Sequence, residues 1–394
     1  MADDNLMPND DLALYIHVPF CAQRCNYCDF CSSTDVSMIE DYFEVLITHI
    51  SSAAWLEDRH RLRPVTSIYF GGGTPSLSHI HLISVLEAIR NTFELSDDCE
   101  ITLEANPESF RAESAADLAA AGFTRVSLGV QSLEEDQLAT LGRIHNVDEA
   151  FQALHVANGA GLRVSADLML GLPSSEESNI QGSGILTEHP LFDELLSLVG
   201  HVSVYPLTVE EGTVLQKMED ADRISLPCED EVAAQVIDLE QVLARRGFTR
   251  YEISSYARPG QESRQNLRYW QGGNYLGFGV SAASMTTDSA GCHRRFVMYD
   301  DVETFLADPK GKGLAPAELD VLTFAETQRE SIMLALRTRK GVSITSVEAA
   351  GLAGICRELV EKGLLEVVDG CYRCTQQGWL LANIVFAAIW VGNT

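Results

Sequence analysis

Four cysteines, Cys21, Cys25, Cys28 and Cys31, stand within eleven positions of the stretch HVPFCAQRCNYCDFCSS. The other six, Cys99, Cys228, Cys292, Cys356, Cys371 and Cys374, are scattered, without the regular framework of a small disulfide-rich domain. A local crowd of reduced thiols implies metal. The spacing C-x3-C-x2-C of Cys21, Cys25 and Cys28 offers a short loop of thiolates, the ligand type that soft, sulfide-bridged iron prefers. Three such ligands leave one iron of a [4Fe–4S] cluster open. On spacing alone two other readings stand: a structural zinc site completed by Cys31, and reduced thiols in a loop.

The loop follows an apolar run, LALYIHV (12–18), that reads as a strand. Five further runs, at 67–72, 100–107, 125–132, 163–173 and 201–209, are each preceded by a segment of helical periodicity. Strands alternating with helices predict a parallel sheet with helical crossovers, and six units are enough to curl into an open barrel. Chemistry in such barrels sits where the strands end. The unusual motifs fall there: the cysteine loop, GGGTP at 71–75, Glu104, Gln131 and Asp167. Five motifs on one rim predict one site.

The expected fold class is therefore α/β, an open six-unit (β/α) partial TIM barrel over 1–215, followed by a barrel-flanking and connecting region over 216–307. Pro, Gly and Lys in DPKGKG (308–313) mark a linker. Residues 308–394 then read as a smaller helical, winged-helix-like domain, with helices around ETQRESIMLALRTR, ITSVEAAG and ICRELVEKGLL and a hairpin in LLEVVDGCYRC. Length fits this division, since 394 residues predict two to three units or one barrel plus an accessory. The net charge of -29, from 57 acidic and 28 basic residues, argues against binding nucleic acid or anionic lipid through charge. The acidic start MADDNLMPNDD lacks an export pattern, so a cytoplasmic location is expected. The closing apolar run at 379–391 falls short of the roughly 20 residues that span a bilayer, and reads as a buried terminal helix.

C-x3-C-x2-C with Tyr27 before its last cysteine resembles the signature of radical S-adenosylmethionine (SAM) proteins. YIHVPFCAQRCNYCDF, GGGTP, EANPE, GVQS, LGRIH and DLMLGLP, in this order, resemble the oxygen-independent coproporphyrinogen III oxidase family within that group. The likeness continues through HVSVYPLTVEEGT and GFTRYEISSYARPG to a C-terminal domain of the HemN type, so it covers nearly the whole chain. It implies a [4Fe–4S] cluster on Cys21, Cys25 and Cys28, with SAM bound at the open iron. It further implies that Gly71, Gly72, Gly73 and Thr74 meet the methionine amino group through backbone, and that Glu104 and Arg143 are polar contacts to SAM. Gln131 and Asp167 resemble partners of its sugar hydroxyls, with Tyr15 and Tyr27 near cluster and adenine.

Two functions diverge within the family. The oxidase, a coproporphyrinogen dehydrogenase, decarboxylates two propionates to vinyls and carries an N-terminal extension and a C-G-C ending. This chain reads Cys28-Asp29-Phe30 and has Tyr15 almost at its start, which resembles the haem chaperone branch. That branch implies haem as cargo, acceptor haemoproteins as partners and an electron donor for the cluster, with no nucleic acid and no transmembrane segment. A coproporphyrinogen enzyme, or a radical SAM enzyme on another tetrapyrrole, is the alternative. Cys31 is read as a spare thiol. One departure bears on haem: the branch resembles H-N-x-x-Y-W where this chain has Gln265-Asn266-Leu267-Arg268-Tyr269-Trp270. Glutamine is a poor iron ligand, Ala283 stands where many relatives carry a second histidine, and the nearest substitute, His293, reads as a solvated loop residue. His17 reads as a hydrogen-bonding residue or a cluster neighbour, and the Cys371/Cys374 pair as chance.

Overall fold

The computed structural model describes residues 11–52, 63–173, 186–310 and 318–392. Residues 1–10, the end of the first helical pattern (53–55) and positions 311–313 of the linker run lie outside these.

Six parallel strands, β1 (Leu12–Val18), β2 (Val65–Gly72), β3 (Leu95–Ala105), β4 (Arg125–Gln131), β5 (Arg163–Leu170) and β6 (His201–Pro206), lie side by side in chain order. The sequence explains why they curl. Alternate positions point to opposite faces of a strand. Leu14, Ile16, Ile68, Phe70, Leu103, Val126, Leu128, Ala166, Leu168 and Val202 all face helices and are fully buried. The intervening positions, among them Tyr69, Thr102, Glu104, Ser127, Asp167 and Ser203, line a cavity on the concave side. The helices Ile39–Ser52 and His79–Thr92 cover the convex side with Phe43, Leu46, Leu82 and Leu86. The barrel is thus apolar outside and polar within.

Later strands extend the same sheet. β7 (Thr249–Arg250) and β8 (Ser255–Ala257) add beyond β6. On the other edge β9 (Tyr275–Phe278) pairs parallel with β1, followed by β10 (Ala283–Thr287), β11 (His293–Val297) and β12 (Glu318–Val321). The C-terminal unit has its own apolar core around Ile332, Leu336, Leu359, Tyr372 and Phe386. It comprises the helices Phe324–Ala335, Ile344–Ala349 and Ala353–Glu361 and a three-stranded sheet, the pattern of a winged helix. In the closing run, the helix Ala382–Val391 buries Val385, Phe386 and Ile389 but leaves Ile384, Trp390 and Val391 exposed. Among the described residues no helix is long and apolar enough to cross a membrane.

The lower end of the barrel is closed by charge. Glu100 is buried and accepts from Arg125 Nε at 3.2 Å, from Arg163 and from the backbone N–H of Arg264 at 2.8 Å. Arg125 also donates to the carbonyls of Gln261 and Glu262, which holds the helix Arg264–Trp270 against the barrel. Removing one partner of a buried pair leaves the other uncompensated. Glu100→Ala should therefore cost about 3–5 kcal/mol of stability, read from a denaturant midpoint. A loss below about 1 kcal/mol, the range of a surface pair, would contradict this account of the plug.

Candidate metal and cofactor site

The cysteine loop is laid on the ends of β1 and β2. Gly73 N–H donates to Val18 O at 2.8 Å, Thr74 N–H to Phe20 O at 2.8 Å, and Cys21 N–H to Ser33 O at 2.9 Å. Glycine is required at this contact: a Cβ on Gly73 would lie 2.8 Å from Phe20 O and 2.9 Å from Cys21 Sγ. Gly72 has φ +117, and its face is filled by the His17 ring. His17 is buried; its Nδ1 shares a hydrogen bond with Tyr15 OH and its Nε2 meets Cys31 O, each at 3.0 Å. It ties the two ends of the loop together.

Cys21, Cys25 and Cys28 all line the mouth of the barrel cavity, about 470 Å³ in volume, whereas Cys31 is not among its lining residues and packs on the apolar core. Burial pushes the Cys21 and Cys28 thiols up, so loading metal must release protons. Among the described residues no three His, Cys, Asp or Glu side chains converge as one metal ion would need. Three thiols spread around a cavity mouth instead fit a multi-iron cluster, which spans the gap between them.

Deeper in the same cavity lie Tyr27, Gly72, Gly73, Thr74, Glu104, Gln131, Arg143 and Asp167. Tyr15 and Gly71 are not among its walls. Glu104 accepts from Tyr69 OH at 2.7 Å and from Gly72 N–H at 3.1 Å, and among the described residues no cation pairs with it. Burial raises its carboxyl to about 7, and burial likewise raises Asp167, which accepts from Ser127 at 2.9 and 3.0 Å, to about 6. Gln131 holds a left-handed backbone, φ 64, unusual for a side chain of its size and a sign of local constraint. Arg143 donates to Asn106 Oδ1 at 2.6 Å, Gly129 O at 3.0 Å and Cys25 Sγ at 3.4 Å; its buried Nε has no hydrogen-bond partner among the described residues. The arrangement can hold a ligand that brings cationic groups to the two carboxylates and an anionic group to Arg143. Asn106, Ser127 and Ser203 are site residues the motifs alone did not single out; Asn106 follows Glu104 at the strand period of two, while Ser127 and Ser203 stand in register beside Glu104 and Asp167 on the neighbouring strands.

A second cavity of about 380 Å³ adjoins the first. Tyr15, Tyr269, Trp270 and Tyr275 wall it, with Ala283, Met285, Leu334 and Arg295. Tyr15 stacks on Tyr69, a wall of the first cavity, with ring centroids 6.3 Å apart, so this ring pair is the partition. One expectation needs correcting here. His293 is not a solvated loop residue: it lies buried in β11, with Nδ1 2.6 Å from Glu330 Oε2. Gln265 is not among the cavity walls; its Oε1 accepts from Ser67 at 2.7 Å and its Nε2 donates to Tyr269 OH at 2.8 Å. Cys371 and Cys374 sit three apart on one strand, hence on opposite faces, and Cys374 is buried in the C-terminal core.

Open barrel, three-thiol loop and polar cavity together are those of a radical SAM protein. A profile of the radical SAM superfamily matches residues 15–182, and one of the HemN C-terminal domain matches 322–381. The heme chaperone HemW of Mycobacterium tuberculosis is 33% identical over 385 residues, covering 96% of this chain and 95% of the relative. HemW of Bacillus subtilis is 32% identical, covering 95% and 98%. Radical S-adenosyl methionine domain-containing protein 1, mitochondrial, of Bos taurus is 34% identical, covering 93% and 84%. The chain belongs to the HemW family of radical SAM proteins, and membership of the superfamily implies a [4Fe–4S] cluster and SAM. The fold matches the structure of coproporphyrinogen III oxidase (HemN) from Escherichia coli with a TM-score of 0.78 over 98% of this chain and 91% of that one, at 21% identity.

The two carboxyls carry a testable signature. Each holds its proton more tightly folded than unfolded, so stability falls as pH rises, for Glu104 between about 4.5 and about 7. By pH 8 the charge costs on the order of 2–3 kcal/mol. Glu104→Gln should thus be more stable than wild type by that order at pH 8 and show no such gain at pH 4, measured by urea denaturation. A variant equally shifted at both pH values would contradict the burial of an uncompensated charge.

Proposed function

We propose that this chain is a radical SAM haem chaperone, in which Cys21, Cys25 and Cys28 hold the cluster, SAM occupies the barrel cavity, and haem is carried in the adjoining cavity before delivery to acceptor haemoproteins. The observation that carries this reading is the pair of cavities sharing the Tyr15–Tyr69 wall. Chemistry supports each assignment. Glu104 suits the methionine amino group, Asp167 and Gln131 the sugar hydroxyls, Gly72 and Gly73 with Thr74 a close backbone approach, and the Nε of Arg143 the methionine carboxylate. Tyr27 offers a ring in the cavity wall. When bound, the cluster supplies the electron that cleaves the sulfonium, and the protein supplies position and shielding.

The second cavity suits a flat macrocycle: four aromatic side chains give stacking surface and Met285 a soft thioether, and Arg295, which pairs with Glu330 and Asp320, adds a guanidinium to the wall. The relatives' name, heme chaperone, supports haem as the cargo. Gln265, turned toward Ser67, is set aside as an iron ligand.

Haem titrated into the reconstituted protein and followed at the Soret band tests the reading. Wild type should bind, and Ala283→Trp, which fills the exposed lip of the cavity, should weaken binding at least tenfold at unchanged cluster iron content. Equal binding by both would move haem elsewhere. Absence of binding by wild type, with protoporphyrinogen formed from coproporphyrinogen III, SAM and a reductant, would replace the chaperone by the enzyme.

A further inference from the structure

The loop that carries Arg143 is sewn to the cysteine loop. Asn26 N–H donates to Leu141 O at 2.9 Å, its side-chain amide donates to Thr140 O at 2.9 Å, and Gln23 Nε2 donates to Gly142 O at 3.0 Å. Gly142 permits this closeness: it has φ +72, and a Cβ there would lie 2.9 Å from the Asn26 side chain. Beyond it, a capping box between Asn146 and Glu149 fixes the start of the helix Val147–Gly159, with N–H to side-chain distances of 2.8 and 3.1 Å. Arg143 is therefore held at both ends of its loop, and its Nη1 meets Cys25 Sγ at 3.4 Å.

Behind the guanidinium stands a second, buried pair that joins the EANPE and LGRIH motifs. His145 Nε2–H donates to Val130 O at 3.3 Å, while its Nδ1 lies 3.3 Å from Glu108 Oε2 and 3.5 Å from Arg143 Nη2 and serves one of them at a time; Glu108 also attracts the guanidinium by charge. The imidazole is closed off from solvent, and Glu108 is mostly so. Neither lines the cavity.

We propose that Arg143 raises the reduction potential of the cluster through its hydrogen bond to Cys25, and that His145 and Glu108 are positioning residues that hold it there. The inference rests on Cys25 being a cluster ligand. One electron from a low-potential donor makes the cluster one unit more negative, and part of that charge resides on the thiolate sulfurs. A guanidinium N–H on Cys25 Sγ stabilises the reduced state more than the oxidised one, and hydrogen bonds to cluster sulfurs are among the levers that set the potential. Half-burial of both groups limits screening by solvent and salt. The Nε of the same guanidinium has no hydrogen-bond partner among the described residues, so tuning the cluster and meeting a carboxylate do not compete for one donor.

The test is a dithionite titration of the reconstituted full chain without SAM, monitored by electron paramagnetic resonance, with iron counted in every sample. Arg143→Gln should lower the potential by a tenfold or larger shift in the reduction equilibrium, about 59 mV for one electron, and Arg143→Lys should fall between it and wild type. Glu108→Gln separates positioning from bare charge. Loss of a nearby negative charge alone would raise the potential, whereas release of Arg143 lowers it, and a fall is expected. An intact cluster at wild-type potential in Arg143→Gln would overturn the tuning role, and a rise in Glu108→Gln would overturn the positioning role. If Arg143→Gln loses its iron, the lysine and Glu108 variants decide the matter. Full iron content in Cys25→Ala would instead remove Cys25 as a ligand, and with it the premise.

Discussion

The site depends on how closely the cysteine loop lies on the end of β2. Three consecutive glycines allow it: side chains there would strike Tyr15, Tyr69 and Glu104 at Gly71, the His17 ring at Gly72, and Phe20 and Cys21 at Gly73. With those atoms absent, the loop pairs with backbone from Val18 to Thr74 and carries three thiols to the cavity mouth. The fourth thiol turns to the apolar core, while the carbonyl of the same residue, Cys31, is held by His17. A loop of this composition could adopt many shapes in isolation; the glycine step selects one.

The second constraint is electrostatic. A barrel lined by Glu104, Asp167, Tyr69, Ser127 and Ser203 gives up the apolar layers that fill an ordinary closed barrel. It retains two half-buried carboxyls on the cavity wall, raised toward neutrality by desolvation, with hydroxyl and amide donors in direct contact. Such a lumen is unfavourable when empty and charged, and favourable once a ligand brings compensating groups. The cost is offset by the apolar convex face, where β1 to β6 bury alternate residues against helices, and by the Glu100–Arg125–Arg163 plug below. Stability and binding are thus divided between the two faces of the same strands.

Much of this was legible in the sequence. The six strands and the winged-helix pattern follow from periodicity, because period-two and helical patterns are written into neighbouring residues. The rim motifs were legible for the same reason: each lies at the end of a strand. What escaped is non-local. Tyr15 carries a family motif, but its ring faces the second cavity, because β9 pairs with β1 from a distance of about 260 residues in the chain. His293 looks exposed in a turn-rich stretch, yet β11 is covered by the helix Phe324–Ala335, whose Glu330 meets it. Gln265 invites comparison with a histidine ligand, but the helix Arg264–Trp270 rotates it toward Ser67. The Glu108–His145 pair behind Arg143 joins residues of two separate motifs and has no local signal at all.

The central claim is that three thiols of the loop hold the cluster and the fourth does not. Counting iron after anaerobic reconstitution of Cys21→Ala, Cys25→Ala, Cys28→Ala and Cys31→Ala tests it most directly. The account predicts loss of the cluster in each of the first three and wild-type iron content in Cys31→Ala. Loss in Cys31→Ala, or a full complement in any of the other three, would contradict it.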